Sequence, residues 1–515
     1  MKVISVETMR ELDRLTLAGG VSAERLMERA GCGAFEELQA FLSVRLHPRH
    51  RQRAAVLAGK GSNGGDAYVV ARCLHEQTKL PVSVYSTCPP AELGGATAYH
   101  ARRLFGRVPI RVCRESLPAD ALRPGTVVVD GLLGTGFHGR LRAPCDRILS
   151  QINDSGLPVI ALDVPSGLNA DSGEAAANAL VADLTVTMAL PKTGLLCGNG
   201  PDLCGALRCV DIGTPAAAVA ASPGTGNALF DADIRPLLPR RSHSGHKNSF
   251  GRVLAVGGSL LYTGAPILAG SAALRTGAGL VTVAVPAAIR PLLPAAPAAL
   301  LVRGLADAGR GCWCADANAA LQPLLAGADA VMIGPGMGVA DTGAEPLECV
   351  LSTDLPVIVD ADGLNLLAQR PALLPRQAPT VLTPHPGEMR RILAGFELAD
   401  YIQATRREQA AALAARTRAV VVLKGVQSVI AAPDGRDAVS TSGHSGLGTA
   451  GSGDVLAGMV AALLAGALSA WDAARTGVFV HGRAAELFAN GTRALTADGL
   501  VDLIGPALCL LTPFA

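Results

Sequence analysis

The sequence predicts two α/β domains in succession, each a mostly parallel sheet covered by helices on both faces. Three observations carry this. A chain of 515 residues is too long for one ordinary core. Short, nearly continuous apolar runs alternate with stretches of helical spacing, the mark of parallel strands buried on both sides. Most of those runs end in glycine or a polar turn, so each half gathers loops at one sheet edge, where open α/β sheets bind ligands.

In chain order, Val21 to Leu42 has helical spacing, and Ala54 to Gly59 (AAVLAG) reads as a buried strand. GKGSNGGDAYVVARCL follows, a strand, glycine loop and helix of the general Rossmann kind, without the spacing of GxGxxG or the closing Lys-Ser/Thr of a Walker loop. A simple turn is the competing reading of such a loop. Further strands are expected at Pro81 to Ser86, Thr126 to Gly136, Pro158 to Leu168 and Ala182 to Leu190. The loops NGGD (Asn63 to Asp66), DGLLGTG from Asp130 and DVPSG from Asp163 should converge on one pocket. TPAAAVAASPGTGN, Thr214 to Asn227, is low in complexity and reads as a linker. A second strand-loop-helix opens at Gly251, with strands recurring at Asp329 to Gly338, Leu355 to Leu367, Thr380 to Glu388 and Ala419 to Gly425.

The most informative stretch is GHSGLGTAGSGDVLAG, Gly443 to Gly458. Small residues fill it until Asp454, where the spacing of Val455, Leu456, Met459, Val460, Leu463 and Leu464 reads as a helix beginning. A glycine-rich helix start aims free N–H groups outward, with the positive end of the helix dipole behind them, and so attracts anions. A carboxylate in that field has a purpose if it takes a hydroxyl proton beside a phosphate. An Asp N-cap after a loop is the plainer reading.

Composition limits the partners. With 49% hydrophobic residues and a mean hydropathy of +0.34 the chain can bury large cores. No apolar run reaches the ~18 residues of a membrane span, and the start MKVISVETMRELDRL lacks a signal-peptide core, so a soluble, cytoplasmic protein is expected. A formal net charge of +2 with scattered basic residues argues against nucleic acid and leaves small metabolites. Twelve cysteines without CxxC pairs read as free core thiols rather than a metal site.

These motifs together resemble the bifunctional nicotinamide nucleotide repair enzymes, in which an NAD(P)H-hydrate epimerase domain precedes a ribokinase-like NAD(P)H-hydrate dehydratase domain. The resemblance rests on NGGD, VDGLLGTG and DVPSGL in front and on YTGAP, GPGMG, DADGLNLL, TPHPGE, LKG and GSGDVLAG behind. It implies a Rossmann-like αβα domain over 1–215, a linker at 216–228 and a ribokinase-like αβα domain over 229–515. The implied activity interconverts the R and S hydrates of NADH and NADPH and dehydrates the S form at the expense of ADP. Phosphorylating the poor hydroxyl leaving group before expelling it explains a kinase-like site in a lyase. A small-metabolite kinase and a non-catalytic nucleotide sensor are the alternatives; a homo-oligomer is expected.

By resemblance, Asp454 is the base that activates the hydroxyl, and the N–H groups of Ala450 to Gly453 cradle the transferred phosphoryl. Lys424, Gly425, Val426, Gln427, Ser428 and Gly453 match the nucleotide-binding positions, and Ala265, Gly336 and His385 match contacts to the hydrate. A structural loop histidine is the plain reading of His385. Asp360 and Asp362 read either as metal-organising carboxylates or as solvent-facing caps, and Mg2+ is expected through the nucleotide phosphates. In the front domain a potassium ion is implied on Asn63, Asp130 and Ser166, hard oxygen donors suited to an alkali cation. Ser62, Asn63, Gly64, Gly65 and Asp66 match one substrate loop; Gly134, Thr135, Gly136, Phe137, His138, Gly139 and Arg140 match another. Asp163 matches the carboxylate beside the nicotinamide and is the expected acid or base. Lys192 in LPKTGL reads either as a group that binds phosphate or stabilises charge or, more plainly, as an exposed lysine. Departures from the family pattern are Lys60 and Ser62 in an Asn-rich loop, Ala67 and Ala450 for glycine, and His444 for Asn; Ala450 is expected to keep an ordinary backbone conformation.

Overall fold

In a computed structural model, residues 1–45, 52–238, 240–295, 297–339, 343–488 and 494–512 are described. The chain divides into two compact units, Met1–Ala228 and Leu229–Ala515. No helix among the described residues is long and apolar enough to cross a membrane.

The first unit opens with β1 (Lys2–Val3), followed by β2 (Arg53–Ala58), β3 (Val82–Ser86), β4 (Ile110–Val112), β5 (Thr126–Gly131), β6 (Val159–Leu162), β7 (Leu184–Met188), β8 (Ala206–Val210) and β9 (Gly226–Leu229). Strands β2 to β8 form one parallel sheet in the order β4-β3-β2-β5-β6-β7-β8. Alternate residues divide between two cores. Val56, Ala58, Val127 and Val129 face the helices Ala23–Arg45 and Ser62–Gln77, and Ala55, Leu57 and Val128 face the helix Cys145–Ser155. Two-sided burial is why these strands read as unbroken apolar runs. The stretch expected as a linker is structured: Ala216–Ala221 is helical, and β9 pairs antiparallel with β1, Lys2 opposite Asn227 and Val3 opposite Gly226.

In the second unit, β10 (Arg252–Val256), β11 (Leu280–Pro286), β12 (Leu301–Leu305), β13 (Ala330–Ile333), β14 (Val357–Val359), β15 (Thr380–Leu382) and β16 (Val420–Leu423) are parallel, in the order β16-β15-β14-β13-β10-β11-β12. An antiparallel pair, β17 (Val429–Ala431) and β18 (Asp437–Ser440), continues the sheet beyond β16. One face packs on the helices Ala265–Thr276, Ser452–Ala465, Ala470–Glu486 and Ala497–Leu511, the other on a set that includes Pro386–Gly395 and Arg406–Thr417.

In each sheet the chain leaves a central strand in one direction and later returns to that strand's other side. The reversal falls between β2 and β5 in the first unit and between β10 and β13 in the second. Loops leaving such a pair diverge to opposite faces and open a crevice at the carboxyl edge. Most of the residues singled out in the sequence lie in loops or helix starts at these edges. Of the cysteines, all free, Cys73, Cys88, Cys113, Cys204 and Cys314 are buried as expected, whereas Cys509 is exposed.

The helix that carries Asp454 is pressed on the helix Ala265–Thr276 at Gly458, where a Cβ would stand 2.0 Å from the Ala269 carbonyl oxygen. Gly458→Ala should therefore lower stability by about 1–3 kcal/mol through overpacking, reversing the ~1 kcal/mol that alanine ordinarily gains over glycine in a helix. The midpoint of denaturant unfolding of the full chain measures the sign.

Candidate active sites

In the first unit, the segment NGGD is not a loop. The helix starts at Ser62, capped by the extended Gly61, and Asn63, Gly64, Gly65 and Asp66 occupy its first turns. The glycines serve close packing: a Cβ on Gly64 would stand 1.9 Å from the Gly59 carbonyl oxygen, and one on Gly65 would stand 2.3 Å from Met27 Sδ. Lys60 and Ser62 are exposed, while Asn63 and Ala67 are buried.

Asn63, Asp130 and Ser166 do meet. The Ser166 N–H donates to Asp130 Oδ2 at 2.9 Å, the Ser166 hydroxyl donates to Asp130 Oδ1 at 2.8 Å, and the Leu132 N–H donates to Oδ1 at 3.1 Å. Asn63 Nδ2 donates to the Leu133 carbonyl at 2.7 Å, whose N–H donates to Ser166 Oγ at 2.9 Å. This leaves Asn63 Oδ1 buried with no partner. Burial pushes Asp130 up to about 6, opposed by the bonds from Ser166 and Leu132. A buried carboxylate beside an orphaned amide oxygen is a donor set that fits a cation with hard-oxygen preference. Gly134 borders it, since a Cβ there would lie 3.3 Å from Asn63 Cβ. From Gly134 the loop runs outward through Thr135 and Phe137, with Gly136, His138, Gly139 and Arg140 exposed.

Asp163, just past β6, has φ 61°, a strained conformation for a non-glycine residue, costing about 1–3 kcal/mol. Its Oδ1 accepts from Thr187 Oγ1 at 3.1 Å, from the Met188 N–H at 3.1 Å and from the Lys192 ammonium. Lys192 is not the exposed lysine expected from LPKTGL. Its side chain is 1% exposed and also donates to Thr187 Oγ1 at 3.1 Å and the Met188 carbonyl at 2.9 Å. The N-terminal segment covers it: Ile4 donates to Pro191 and accepts from Thr193, both at 3.0 Å. Two carboxyls join this pair. Asp66 is pushed well above the ordinary range by burial first, then by Asp163 and Asp13, against Lys192. Asp13, on the helix Val6–Ala18 and not singled out in the sequence, is raised to about 6 by burial, with Lys192 opposing and Asp163 adding.

In the second unit, Gly336 has φ 64°, and a Cβ there would stand 2.7 Å from Tyr262 Cβ and 3.1 Å from Ala265 Cβ. The loops after β10 and β13 thus touch at two residues matched to the substrate. Beyond β14, Asp360 is 1% exposed and bonds Lys424 Nζ at 2.6 Å; Lys424 Nζ lies 3.9 Å from Glu388 Oε2. Asp360 is therefore no solvent-facing cap. Asp362 accepts the Gly338 N–H at 2.8 Å.

His385 caps the helix Pro386–Gly395. Its Nδ1 accepts the N–H of Gly387 at 2.9 Å, Glu388 Oε2 accepts the His385 N–H at 2.8 Å, and Nε2 lies 3.3 Å from Glu388 Oε1. Burial, Lys424 and Arg391 lower the His385 pKa, so the ring is neutral at neutral pH. Burial first, with Asp360 adding and Lys424 opposing, raises Glu388 to about 7. Glu388 was missed in the sequence, although His-Pro-Gly-Glu at a helix start carries the spacing of a capping box.

The loop past Lys424 turns through Gly425, φ 146°, and Gln427, φ 50°. Arg406, also missed, holds it by donating to the carbonyls of Leu423 at 3.0 Å, Gln427 at 3.4 Å and Val426. Ser428 Oγ donates to the Gly425 carbonyl at 3.1 Å, and Val426 is exposed.

The helix of Asp454 begins at Ser452, two residues before the sequence placed it, with Gly451 as its left-handed cap at φ 87°. Ala450 keeps an ordinary φ, as expected. The first intrahelical bond runs from the Val455 N–H to the Gly451 carbonyl at 3.1 Å, so the N–H groups of Gly453 and Asp454 open the helix. His481 Nε2 donates to the Ser452 carbonyl at 2.9 Å and Ser452 Oγ to the Leu447 carbonyl at 2.8 Å, fixing the turn from below. Gly453 lets the lysine approach: a Cβ would stand 3.2 Å from Lys424 Nζ and 3.9 Å from Asp360 Oδ2. Burial raises Asp454 to about 7, Asp360 adding and Lys424 opposing.

Comparison with known proteins gives the same division. The family described as NAD(P)H-hydrate dehydratase matches residues 253–505, and the one described as YjeF-related protein N-terminus matches residues 23–194. A bifunctional NAD(P)H-hydrate repair enzyme of Coxiella burnetii is 39% identical over 96% of this chain and 96% of its own. One from Moorella thermoacetica is 38% identical, covering 98% of this chain and 96% of its own. A crystal structure of ADP/ATP-dependent NAD(P)H-hydrate dehydratase from Bacillus subtilis, co-crystallized with ATP/Mg2+, is 29% identical and covers 56% of this chain and 99% of that one, with a TM-score of 0.48.

Removing the Lys424 ammonium would leave the Asp360 carboxylate buried without its counter-charge. Lys424→Met should cost about 3–5 kcal/mol of stability. Denaturant unfolding of the second unit reads this, and a loss below ~1 kcal/mol would show the pair to be solvated.

Proposed function

The chain belongs to the family of bifunctional NAD(P)H-hydrate repair enzymes, and on that premise we propose that its two sites treat the same hydroxyl in opposite ways. The first unit interconverts the R and S hydrates of NADH and NADPH. The second removes water from the S form, with ADP as phosphoryl donor. The observation that carries the dehydratase reading is Asp454, raised to about 7, on a helix start whose Gly453 lies against the Lys424–Asp360 pair.

Asp454 takes the proton of the hydrate's C6 hydroxyl as its oxygen receives the phosphoryl group. N–H groups from Ala450 to Gly453, with the helix dipole behind them, balance the charge on the transferred group. Lys424, held by Asp360, is a fixed positive charge beside that path. Gly425 to Ser428, pinned by Arg406, contact the nucleotide monophosphate. Ala265, Gly336 and the neutral His385 position the hydrate. The ring nitrogen's lone pair then expels phosphate from C6, and loss of a C5 proton restores the double bond; the products are NAD(P)H, AMP and phosphate. The Asp360 carboxylate is already paired with Lys424, and Asp362 is bonded to Gly338, so Mg2+ would be held chiefly by the nucleotide's phosphates, whose charge it would screen.

In the first unit, potassium on Asn63 Oδ1, Asp130 and Ser166 would tie a helix start, a strand end and a loop together beside the substrate phosphates. Asp163, its Oδ1 occupied by three donors, supports the nicotinamide ring. Ser62 to Asp66 and Gly134 to Arg140 contact the rest of the hydrate.

Incubating the chain with mixed NADH hydrates, Mg2+ and ADP should restore the near-ultraviolet band of reduced nicotinamide from both epimers. Asp454→Asn should slow recovery ~10²–10⁴-fold. The base must be ionised, so kcat/KM for dehydration should rise with pH through about 7 and level off above it. A stable phosphorylated product would instead make this unit a kinase. Potassium should raise the melting temperature more than sodium or lithium, and Asp130→Asn should abolish the difference.

A further inference from the structure

We infer that Cys32 and Cys73 form a peroxide-responsive dithiol in the first unit, Cys32 as the attacking sulfur and Cys73 as the resolving one, closing reversibly into a disulfide between two facing helices. Neither cysteine belongs to the sites described above.

Cys32 lies on the helix Ala23–Arg45 and Cys73 on the helix Ser62–Gln77. Their sulfurs are 3.5 Å apart, in hydrogen-bond contact. The same helices touch closely one and two turns before Cys73: a Cβ on Gly31 would overlap Val69, and one on Gly65 would overlap Met27 Sδ. Two missing side chains thus bring the backbones together and set the two thiols face to face. A disulfide holds its sulfurs at about 2.05 Å, so the gap left to close is small enough for rotation of the two side chains. No group of three or more His, Cys, Asp or Glu side chains among the described residues is placed to hold a metal ion, which leaves the pair as a dithiol.

The surroundings divide the labour. Cys73 is 1% exposed, whereas Cys32 is half-buried, so a small oxidant reaches Cys32 first. Arg72, next to Cys73 in sequence, bonds Glu76 at 2.7 Å and Glu28, and Glu28 Oε1 stands 3.8 Å from Cys32 Sγ. The bond from Cys73 first, and the Arg72 guanidinium with it, lower Cys32 to about 7 against burial and Glu28. The bond to Cys32 and burial raise Cys73. The thiolate is the nucleophile in sulfur oxidation, and a buried neighbouring thiol is placed to resolve the product.

The step balances with hydrogen peroxide as oxidant. The Cys32 thiolate attacks one peroxide oxygen, an S–O bond forms as the O–O bond breaks, and the leaving hydroxide takes up the proton that Cys32 released, giving water. Cys32 is now a sulfenic acid. The Cys73 sulfur gives up its proton and attacks Cys32, the S–S bond forms as the S–O bond breaks, and hydroxide leaves with that proton as a second water. Two thiols are oxidised and one peroxide is reduced. A small dithiol reverses the bond by exchange.

Treating the full reduced chain with hydrogen peroxide, then alkylating and digesting it, should yield one peptide pair joined through Cys32 and Cys73, which dithiothreitol parts again. Cys73→Ala removes the resolving sulfur, so dimedone should trap a sulfenic acid at Cys32, and longer exposure should carry Cys32 on to the sulfinic acid that wild type avoids. In Cys32→Ser the linked pair should vanish and Cys73 should stay reduced. The oxidised wild-type chain should melt about 5 °C or more above the reduced one, because the bond closes a long loop in the unfolded chain. A wild-type chain that yields no Cys32–Cys73 peptide, or dimedone captured at Cys73 in Cys32→Ser with Cys32 inert in Cys73→Ala, overturns the assignment. A disulfide that forms but lowers the melting temperature overturns it too, since the helices would then not accept the bond in their folded places.

Discussion

Each unit places one lysine ammonium at its sheet edge against more carboxyl groups than it can neutralise. In the first, Lys192 is bonded to Asp163 while Asp66 and Asp13 stand within its field. In the second, Lys424 is bonded to Asp360 while Glu388 and Asp454 stand within its field. A buried charge is tolerated only when paired, so one carboxylate takes the lysine. The others meet desolvation and like charge together and are pushed upward, Glu388 and Asp454 to about 7 and Asp66 well above the ordinary carboxylate range. Acid–base capacity near neutral pH follows from that imbalance.

Backbone proximity makes the imbalance possible. Gly453 admits the Lys424 ammonium to a spot where a Cβ would lie 3.2 Å away, and Gly64 lets its helix sit against Gly59. Neither residue is a hinge. Both lie in the first turn of a helix, where a missing side chain brings free N–H groups and fixed charges nearer a ligand than any other residue would allow.

This explains how far the sequence could be read. Strand runs were legible because two-sided burial leaves unbroken apolar segments, and the loops at their ends because a parallel sheet gathers them on one edge. Asn63, Asp130 and Ser166 were assigned together by resemblance and meet in space, and Lys424 stands within electrostatic reach of both His385 and Asp454. Glycines were misread where packing rather than turning selects them: NGGD was given to a loop and lies on a helix. The exposed reading of Lys192 fails because the partners of its ammonium, Asp163, Thr187 and Met188, and the backbone of Ile4 paired beside it all lie outside LPKTGL. Asp13 escaped notice for the same reason, being an ordinary polar position on an amphipathic helix until Lys192 and Asp163 are brought to it. The alanine-rich stretch near 216 lacked periodicity, yet it forms a short helix ahead of the strand that pairs with β1.

The two chemistries also require different balances. To be lost from the ring as water, the C6 hydroxyl must gain a proton, which calls for a protonated acid beside it. To become a phosphate ester, the same hydroxyl must surrender its proton, and the acceptor must be ionised while sitting where a phosphate also sits. Lys424, though paired with Asp360, opposes the rise that burial imposes on Asp454, as Lys192, paired with Asp163, opposes it at Asp66. A single site could not hold its carboxyl both ways at one pH. Separate folds, each with its own lysine and its own surplus of carboxyls, meet the two demands at once.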